Sequence, residues 1–395
     1  MSNPLSDRVI RLPVSQTLAM AAKARELKEQ GLDILNLSIG EPDFNTPDFI
    51  KEAAIKAIND NYNSYPPING YAELREAIIQ KFKRDNDLTY NTDQIVVSTG
   101  SKQSIANAVM VLLNHGDEVL LPAPYWVSYS ALTTLAGAKY IEIPSTIETN
   151  FKITPKQLEA AITPKTKLIF FNSPNNPSGS IYTEKEFRAI AKVLEKYPNI
   201  FILSDEIYEN INYGKPVFSI AKIESMYDRT ITINGVAKAF AMTGWRIGYM
   251  GAPEWIAKAC AKIQGQFTSG ANCIAQRATI TALEASPSKI QYMVDEFKTR
   301  RDLIISLLNK IPNLKTNIPD GTFYVLPNVS YYFGKTIKGT KIENASDFSM
   351  LLLKEANVAT VTGEAFGAPN CIRLSYSVKT KEIKEAVKRI AELLA

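Results

Sequence analysis

The chain has 395 residues, 45% of them hydrophobic and 22% charged, an ordinary globular composition in a length that accommodates two or three domains. Its 45 Lys and Arg against 40 Asp and Glu leave a dispersed net charge of +5; even Lys81-Phe82-Lys83-Arg84 is short and mixed with acids, so it reads as solvated surface and no nucleic-acid partner is expected. Three widely spaced cysteines without a CxxC argue against a disulfide framework or zinc ribbon, and the single histidine, His115, nearly excludes His-based metal sites, triads and general bases.

Residues 1–30 carry no apolar signal-peptide core, and no apolar run approaches the ~18 residues of a membrane span, so a cytoplasmic protein away from membranes is expected. Periodicity predicts a helix over about Thr17–Gln30, and Thr46-Pro47-Asp48 predicts another with Thr46 as N-cap. Short β-branched runs follow at Gln94–Ser98, Asp117–Leu121, Ala138–Ile143, Lys167–Phe171, Ile200–Ser204, Thr230–Asn234 and Arg246–Met250. Continuous apolar strands alternating with helices, such as Ser101–Asn114 with Gly116 just past its end, predict a mostly parallel sheet covered on both faces. His115 then reads as a cap at that helix end, and the three cysteines as small core residues. A long helix over Ser286–Ile311, strands at Phe323–Leu326 and Cys371–Tyr376 and an amphipathic helix over Lys381–Leu394 complete the pattern. The expected fold class is α/β: a large domain over 45–290 with a seven-stranded, mostly parallel sheet, and a smaller α+β domain from 1–44 and 291–395.

In open parallel sheets ligands bind beyond the carboxyl ends of the strands. Those ends carry Gly100-Ser101-Lys102, Tyr125-Trp126, Asn172 through Asn176, Asp205 and Tyr208, and Lys238, with Arg246 eight residues on. A phosphate suits the helix start after Gly100, with Arg246 as a second clamp. A flat heteroaromatic ring suits Trp126, with Asp205 for a protonated ring nitrogen, Tyr208 and Asn176 for a ring oxygen, and Lys238 for a Schiff base. That is the set pyridoxal phosphate asks of a protein.

The segments SPNNPSG (173–179), SDEIY (204–208) and NGVAKAFAMTGWRIGY (234–249) resemble the fold-type I, class I aminotransferases, as do GEPDF (40–44), PAPYWVSY (122–129), GTFYV (321–325) and IRLSY (372–376). The likeness runs in order from about residue 10 to the end and is greatest to bacterial aspartate aminotransferases of the subgroup that binds the distal carboxylate with lysine. It implies pyridoxal 5'-phosphate as cofactor, no metal, a homodimer, and amino acids and 2-oxo acids as substrates. Lys238 would carry the cofactor and move the proton at the substrate α-carbon. Asp205 would keep the ring nitrogen protonated, Tyr208 and Asn176 would address the ring oxygen, and Trp126 would stack on the ring. Gly100, Ser101, Lys102 through its backbone, and Arg246 would hold the phosphate, with Tyr65 reaching that of the neighbouring subunit. Arg373, beside Gly40, would clamp the substrate α-carboxylate, with Trp126 and Asn176 nearby, and Lys102 with Ser15 and Thr17 would take the distal carboxylate.

The implied reaction is transfer of the amino group of aspartate to 2-oxoglutarate in two ping-pong half-reactions. Aromatic, prephenate or broad-specificity transamination stays open, and a β-eliminating C–S lyase is less favoured. Four positions depart from the usual pattern: Gly235 and Ala237 lack hydroxyls common near the lysine, Ser178 replaces Thr, and Thr362-Gly363 replaces Pro-Gly. None removes a chemical role.

Overall fold

The computed structural model describes residues 4–395, so the first three residues of the expected 1–44 segment lie outside the described residues. The central sheet has seven strands: β1 Ile95–Ser98, β2 Glu118–Pro122, β3 Lys139–Ile143, β4 Thr166–Asn172, β5 Phe201–Asp205, β6 Thr230–Gly235 and β7 Gly248–Gly251. Their order is β1-β7-β6-β5-β4-β2-β3, with every pairing parallel except those of β7. Each predicted run is a strand; in the central ones side chains alternate into two apolar layers, while the edge strand β3 is largely exposed. Leu168 and Phe170 of β4 enter one core with Leu203 and Ile231, while Ile169 and Phe171 enter the opposite one with Leu120 and Ile202. Register sets Asn172 beside Asp205, and Asp205 beside Ile233, so the carboxyl ends of β4, β5 and β6 finish together.

A separate core joins Leu37, Ile207, Tyr208 and Ile211 to apolar residues between Phe297 and Ile390. It backs a three-stranded antiparallel sheet in which β10 Ile372–Ser375 lies between β9 Val361–Thr362 and β8 Tyr324–Val325. The helix Gln16–Glu29 packs through Ala24 onto Ile34, Leu353 and Ala359. Among the described residues no helix is long and apolar enough to cross a membrane, and no group of three or more His, Cys, Asp or Glu could hold a metal.

Four local expectations are corrected. Thr46 caps no helix: Pro47 precedes the helix Asp48–Asn59, and the Thr46 hydroxyl donates to the Ala241 carbonyl at 2.7 Å and accepts from Trp245 Nε1 at 3.1 Å. The long helix is Gln291–Leu308, preceded by a short 3-10 turn at Pro287–Lys289. The helix Ser101–Leu112 ends three residues before His115, whose ring nitrogen instead lies 3.3 Å from the Gly137 carbonyl. Lys81 is not solvated surface. On the helix Ala72–Asn86 it falls on the core stripe with Leu74, Ala77, Ile78 and Phe82, and it is 2% exposed.

Candidate active site

Beyond the ends of β4, β5 and β6 lies a cavity of about 560 Å³, closed on the other side by the N-terminal segment and by β8 and β10. It gathers Ser15, Thr17, Gly40, Gly100, Ser101, Lys102, Trp126, Asn176, Asp205, Tyr208, Lys238, Arg246 and Arg373 along one surface. Tyr65 is the exception among the expected residues: it stands apart and is 96% exposed.

The cavity floor follows from the β1 and β6 termini. Gly100, at φ 82°, caps the helix Ser101–Leu112, whose first-turn amides open on the cavity. A Cβ on Gly100 would lie 2.3 Å from Arg246 Nη2, and one on Gly248 would lie 2.1 Å from the Ser101 amide. The arginine can press against the turn because Gly100 lacks a side chain, and β7 can approach the same turn because Gly248 does. Arg246 itself is left-handed, at φ 57°, and donates to the Thr243 carbonyl at 2.8 Å. Gly235, one of the departures, has the same kind of reason: a Cβ there would meet Ser101 Oγ at 2.8 Å, and that hydroxyl already donates to the Asn234 carbonyl at 2.8 Å.

Asp205 is fully inside. Its Oδ2 accepts from Tyr129 Oη at 2.6 Å and its Oδ1 from the Ile207 amide at 3.3 Å. Burial nevertheless pushes its carboxyl up to about 6, because a lone carboxylate is poorly solvated there. Lys238 moves the other way, down to about 8, chiefly by burial, with Arg373 and Arg246 adding repulsion; its ammonium donates to the Gly40 carbonyl at 2.7 Å. Arg373 donates to the Ser38 carbonyl at 2.6 Å and to Asn176 Oδ1 at 3.1 Å, while its Nε is buried without a partner. Lys102 Nζ stands 4.9 Å from the centre of the Trp126 ring, and burial followed by Arg246 lowers its pKa. The Ser15 and Thr17 hydroxyls, 3.0 Å apart, face the same space.

The donor set fits an anionic phosphate, a protonatable ring nitrogen and a carboxylate together. The helix start with Arg246 would take the phosphate, Asp205 the nitrogen, and Arg373 with its free Nε the carboxylate. A family model, Aminotransferase class I and II, matches residues 32–390. The chain belongs to this family. Such enzymes depend on pyridoxal 5'-phosphate, and that is the cofactor of this aminotransferase. It is 47% identical to a probable aspartate/prephenate aminotransferase of Rhizobium leguminosarum, over 98% of this chain and 97% of the relative, and 44% identical to an aspartate aminotransferase of Bacillus sp., over 99% of each. Among solved structures, the Rhizobium meliloti aspartate aminotransferase superposes with a TM-score of 0.96 at 40% identity, covering 100% of this chain and 99% of the other. The Thermus thermophilus enzyme with maleate gives 0.93 at 39% identity, covering 99% and 100%.

Two side chains of the aminotransferase cavity carry no assignment from the sequence, although both sit in quoted motifs. Tyr129, three residues after Trp126 and edge-on to it at 5.5 Å, supplies the hydroxyl on Asp205. Tyr324 places its hydroxyl 3.0 Å from that of Tyr208 and its ring 4.4 Å from the Arg373 guanidinium. The position of Tyr129 three residues after Trp126, in the first turn of the helix Ser128–Leu135, is the one sequence signal that could have found the first; nothing local marks the second.

Proposed function

We propose that this aminotransferase moves the amino group of aspartate to 2-oxoglutarate, giving oxaloacetate and glutamate, in two ping-pong half-reactions. The observation that carries the reading is a cavity with cations for three anionic groups. Arg246 serves the phosphate, Arg373 the α-carboxylate and Lys102 the distal carboxylate, and none of them is in an ion pair among the described residues. The names of the relatives support the same donor.

When bound, pyridoxal phosphate supplies an aldehyde carbon for the amino group and a ring that accepts the electron pair left on the substrate α-carbon. Lys238, its ammonium weakened by burial to about 8, would serve as the base and acid at that carbon near neutral pH. Asp205 would hold a proton at the ring nitrogen, and a cation placed there relieves the burial that otherwise raises its carboxyl. Tyr208 and Asn176 would address the ring oxygen, Trp126 would cover the ring face, and Arg373 would fix the α-carboxylate so that the α-hydrogen faces Lys238. No histidine is needed.

Prephenate as a second acceptor is favoured by the names of the relatives from Rhizobium leguminosarum and Cereibacter sphaeroides and by a cavity lining that also includes Leu18, Ile39 and Arg25. A homodimer with Tyr65 reaching the neighbouring site belongs to the same proposal, as do the division into a 45–290 domain and a 1–44 plus 291–395 domain, and a cytoplasmic location. The free thiols of Cys260, Cys273 and Cys371 favour a reducing compartment.

A donor screen with 2-oxoglutarate tests the reading. Loss of a charge-assisted contact in Lys102→Ala is expected to raise the KM for aspartate about 10- to 100-fold while leaving aromatic donors within about threefold. Equal effects on both donor classes would remove Lys102 from the distal carboxylate, and keto acid without glutamate would indicate a lyase.

A further inference from the structure

Tyr208 and Tyr324 are buried phenols, 3% and 1% exposed, that line the active-site cavity with their hydroxyls 3.0 Å apart. They come from different parts of the fold. Tyr208 follows β5, and Tyr324 opens β8, where its main chain pairs with Ser375, two residues beyond Arg373 on β10. The Tyr324 hydroxyl is closely confined, since a Cβ on Gly40 would lie 2.4 Å from it. A glycine at 40 therefore seats this phenol, and the carbonyl of the same residue accepts from the Lys238 ammonium.

Two hydroxyls in one hydrogen bond share a single proton between them, and the accepting partner keeps its own proton free. If Tyr208 donated to Tyr324, it would have no proton left for a ligand. If Tyr324 donates, the Tyr208 proton points away, into the cavity. The surroundings select the second arrangement. Burial raises the Tyr324 phenol as well, but the Arg373 guanidinium, 4.4 Å from its ring centre, opposes that rise. Tyr208 is held well above the ordinary phenol value by burial and by Tyr324 beside it. The more acidic hydroxyl is the better donor, and a hydroxyl that accepts one hydrogen bond becomes a stronger donor in the next.

We propose that Tyr324 is a positioning residue for transamination: its hydroxyl donates to the Tyr208 oxygen, aims the Tyr208 proton at the cofactor's ring oxygen, and links that contact to the arginine that clamps the substrate. The inference rests on the reading of Tyr208 and Arg373 given above. It assigns a role to GTFYV that packing alone does not require, since phenylalanine would fill the same volume.

The test uses the holoenzyme and the pH midpoint of the bound cofactor's visible absorbance, with Tyr324→Phe, Tyr208→Phe and the double variant. Loss of one hydrogen bond in the chain to the anionic ring oxygen favours the protonated form. Tyr324→Phe is therefore expected to raise the midpoint by about half to one pH unit. Because Tyr324 acts through Tyr208, adding Tyr324→Phe to Tyr208→Phe is expected to move it by less than about 0.2 unit. An unchanged midpoint in Tyr324→Phe, or the same shift in both backgrounds, overturns the proposal. So does a raised substrate KM with an unmoved midpoint, which would make Tyr324 only a support for Arg373. Absence of any borohydride-reducible chromophore on Lys238 in the wild-type protein would instead refute the underlying site reading, and the two failures are told apart by that control.

Discussion

Asp205 is placed where its charge is costly until a cation arrives. Its carboxyl is raised from 3.8 to about 6 by burial, against the opposing help of Tyr129 and the Ile207 amide. A raised folded-state value means that the folded chain holds this proton more tightly than the unfolded chain. The stabilising effect is complete below about pH 4 and is lost as pH rises through 6. Removing the charge should then stabilise the cofactor-free protein above that window. Asp205→Asn is expected to gain about 2–3 kcal/mol in urea unfolding at pH 8, with the gain shrinking between pH 6 and 4, while activity collapses. A variant no more stable than wild type at pH 8 would show that the site already solvates this carboxylate. The sequence displays Asp205, Lys238 and Arg373 openly because each sits inside a local motif, Asp205 and Lys238 at or just past a strand end and Arg373 within β10. It does not display Tyr129 and Tyr324, because their meaning lies in partners 76 and 116 residues away.

At the scale of elements, the turn carrying Asp205 and Tyr208 is fixed from behind by the helix Ala72–Asn86. Lys81 pairs with Glu209 and donates to Asn86 Oδ1 at 2.7 Å; Asn86 Nδ2 in turn donates to Glu209 at 2.6 Å and to Glu206 at 3.3 Å. Glu206 also accepts from Ser204 at 2.8 Å and Ser219 at 2.6 Å, and burial with Glu209 nearby pushes its carboxyl up to about 7. One buried ammonium thus serves two buried carboxylates. Lys81→Met keeps the helix stripe apolar but strands both acids, and a loss of about 3–5 kcal/mol in urea unfolding at pH 8 is expected. Protonation of Glu206 below about pH 7 should ease that loss, so a penalty independent of pH would remove Glu206 from the cluster. Composition could not reveal this network: Lys81 sits in a basic run, and only its place on the stripe with Leu74, Ile78 and Phe82 separates it from Lys83. Strands were legible because burial on both faces writes a continuous apolar run. Helix starts were less so: the hydroxyl of Thr46 is claimed by Ala241 and Trp245, nearly 200 residues away.

For the whole molecule, the unassigned surface is as informative as the cavity. Tyr65 is 96% exposed, and Val14 and Phe267 are 81% and 66% exposed. Apolar side chains displayed to that extent are candidates for cover by another chain. Tyr65 also lies outside the cavity that holds its proposed partners, so in a dimer each site would take Lys238 from one protomer and Tyr65 from the other. This makes a prediction that a shared site alone satisfies. Lys238→Ala cannot carry the cofactor, and Tyr65→Ala is expected to bind it weakly at limiting concentration. Mixing the two under conditions that exchange subunits yields hybrids in which one site has both alanines and the other has neither. Random exchange makes about half of the dimers hybrids, each with one intact site, so about a quarter of the wild-type activity should return. Activity no higher than the sum of the separate variants, with exchange verified by mass, would place Tyr65 outside the neighbouring site; full activity in a wild-type monomer on gel filtration would dispense with the dimer altogether.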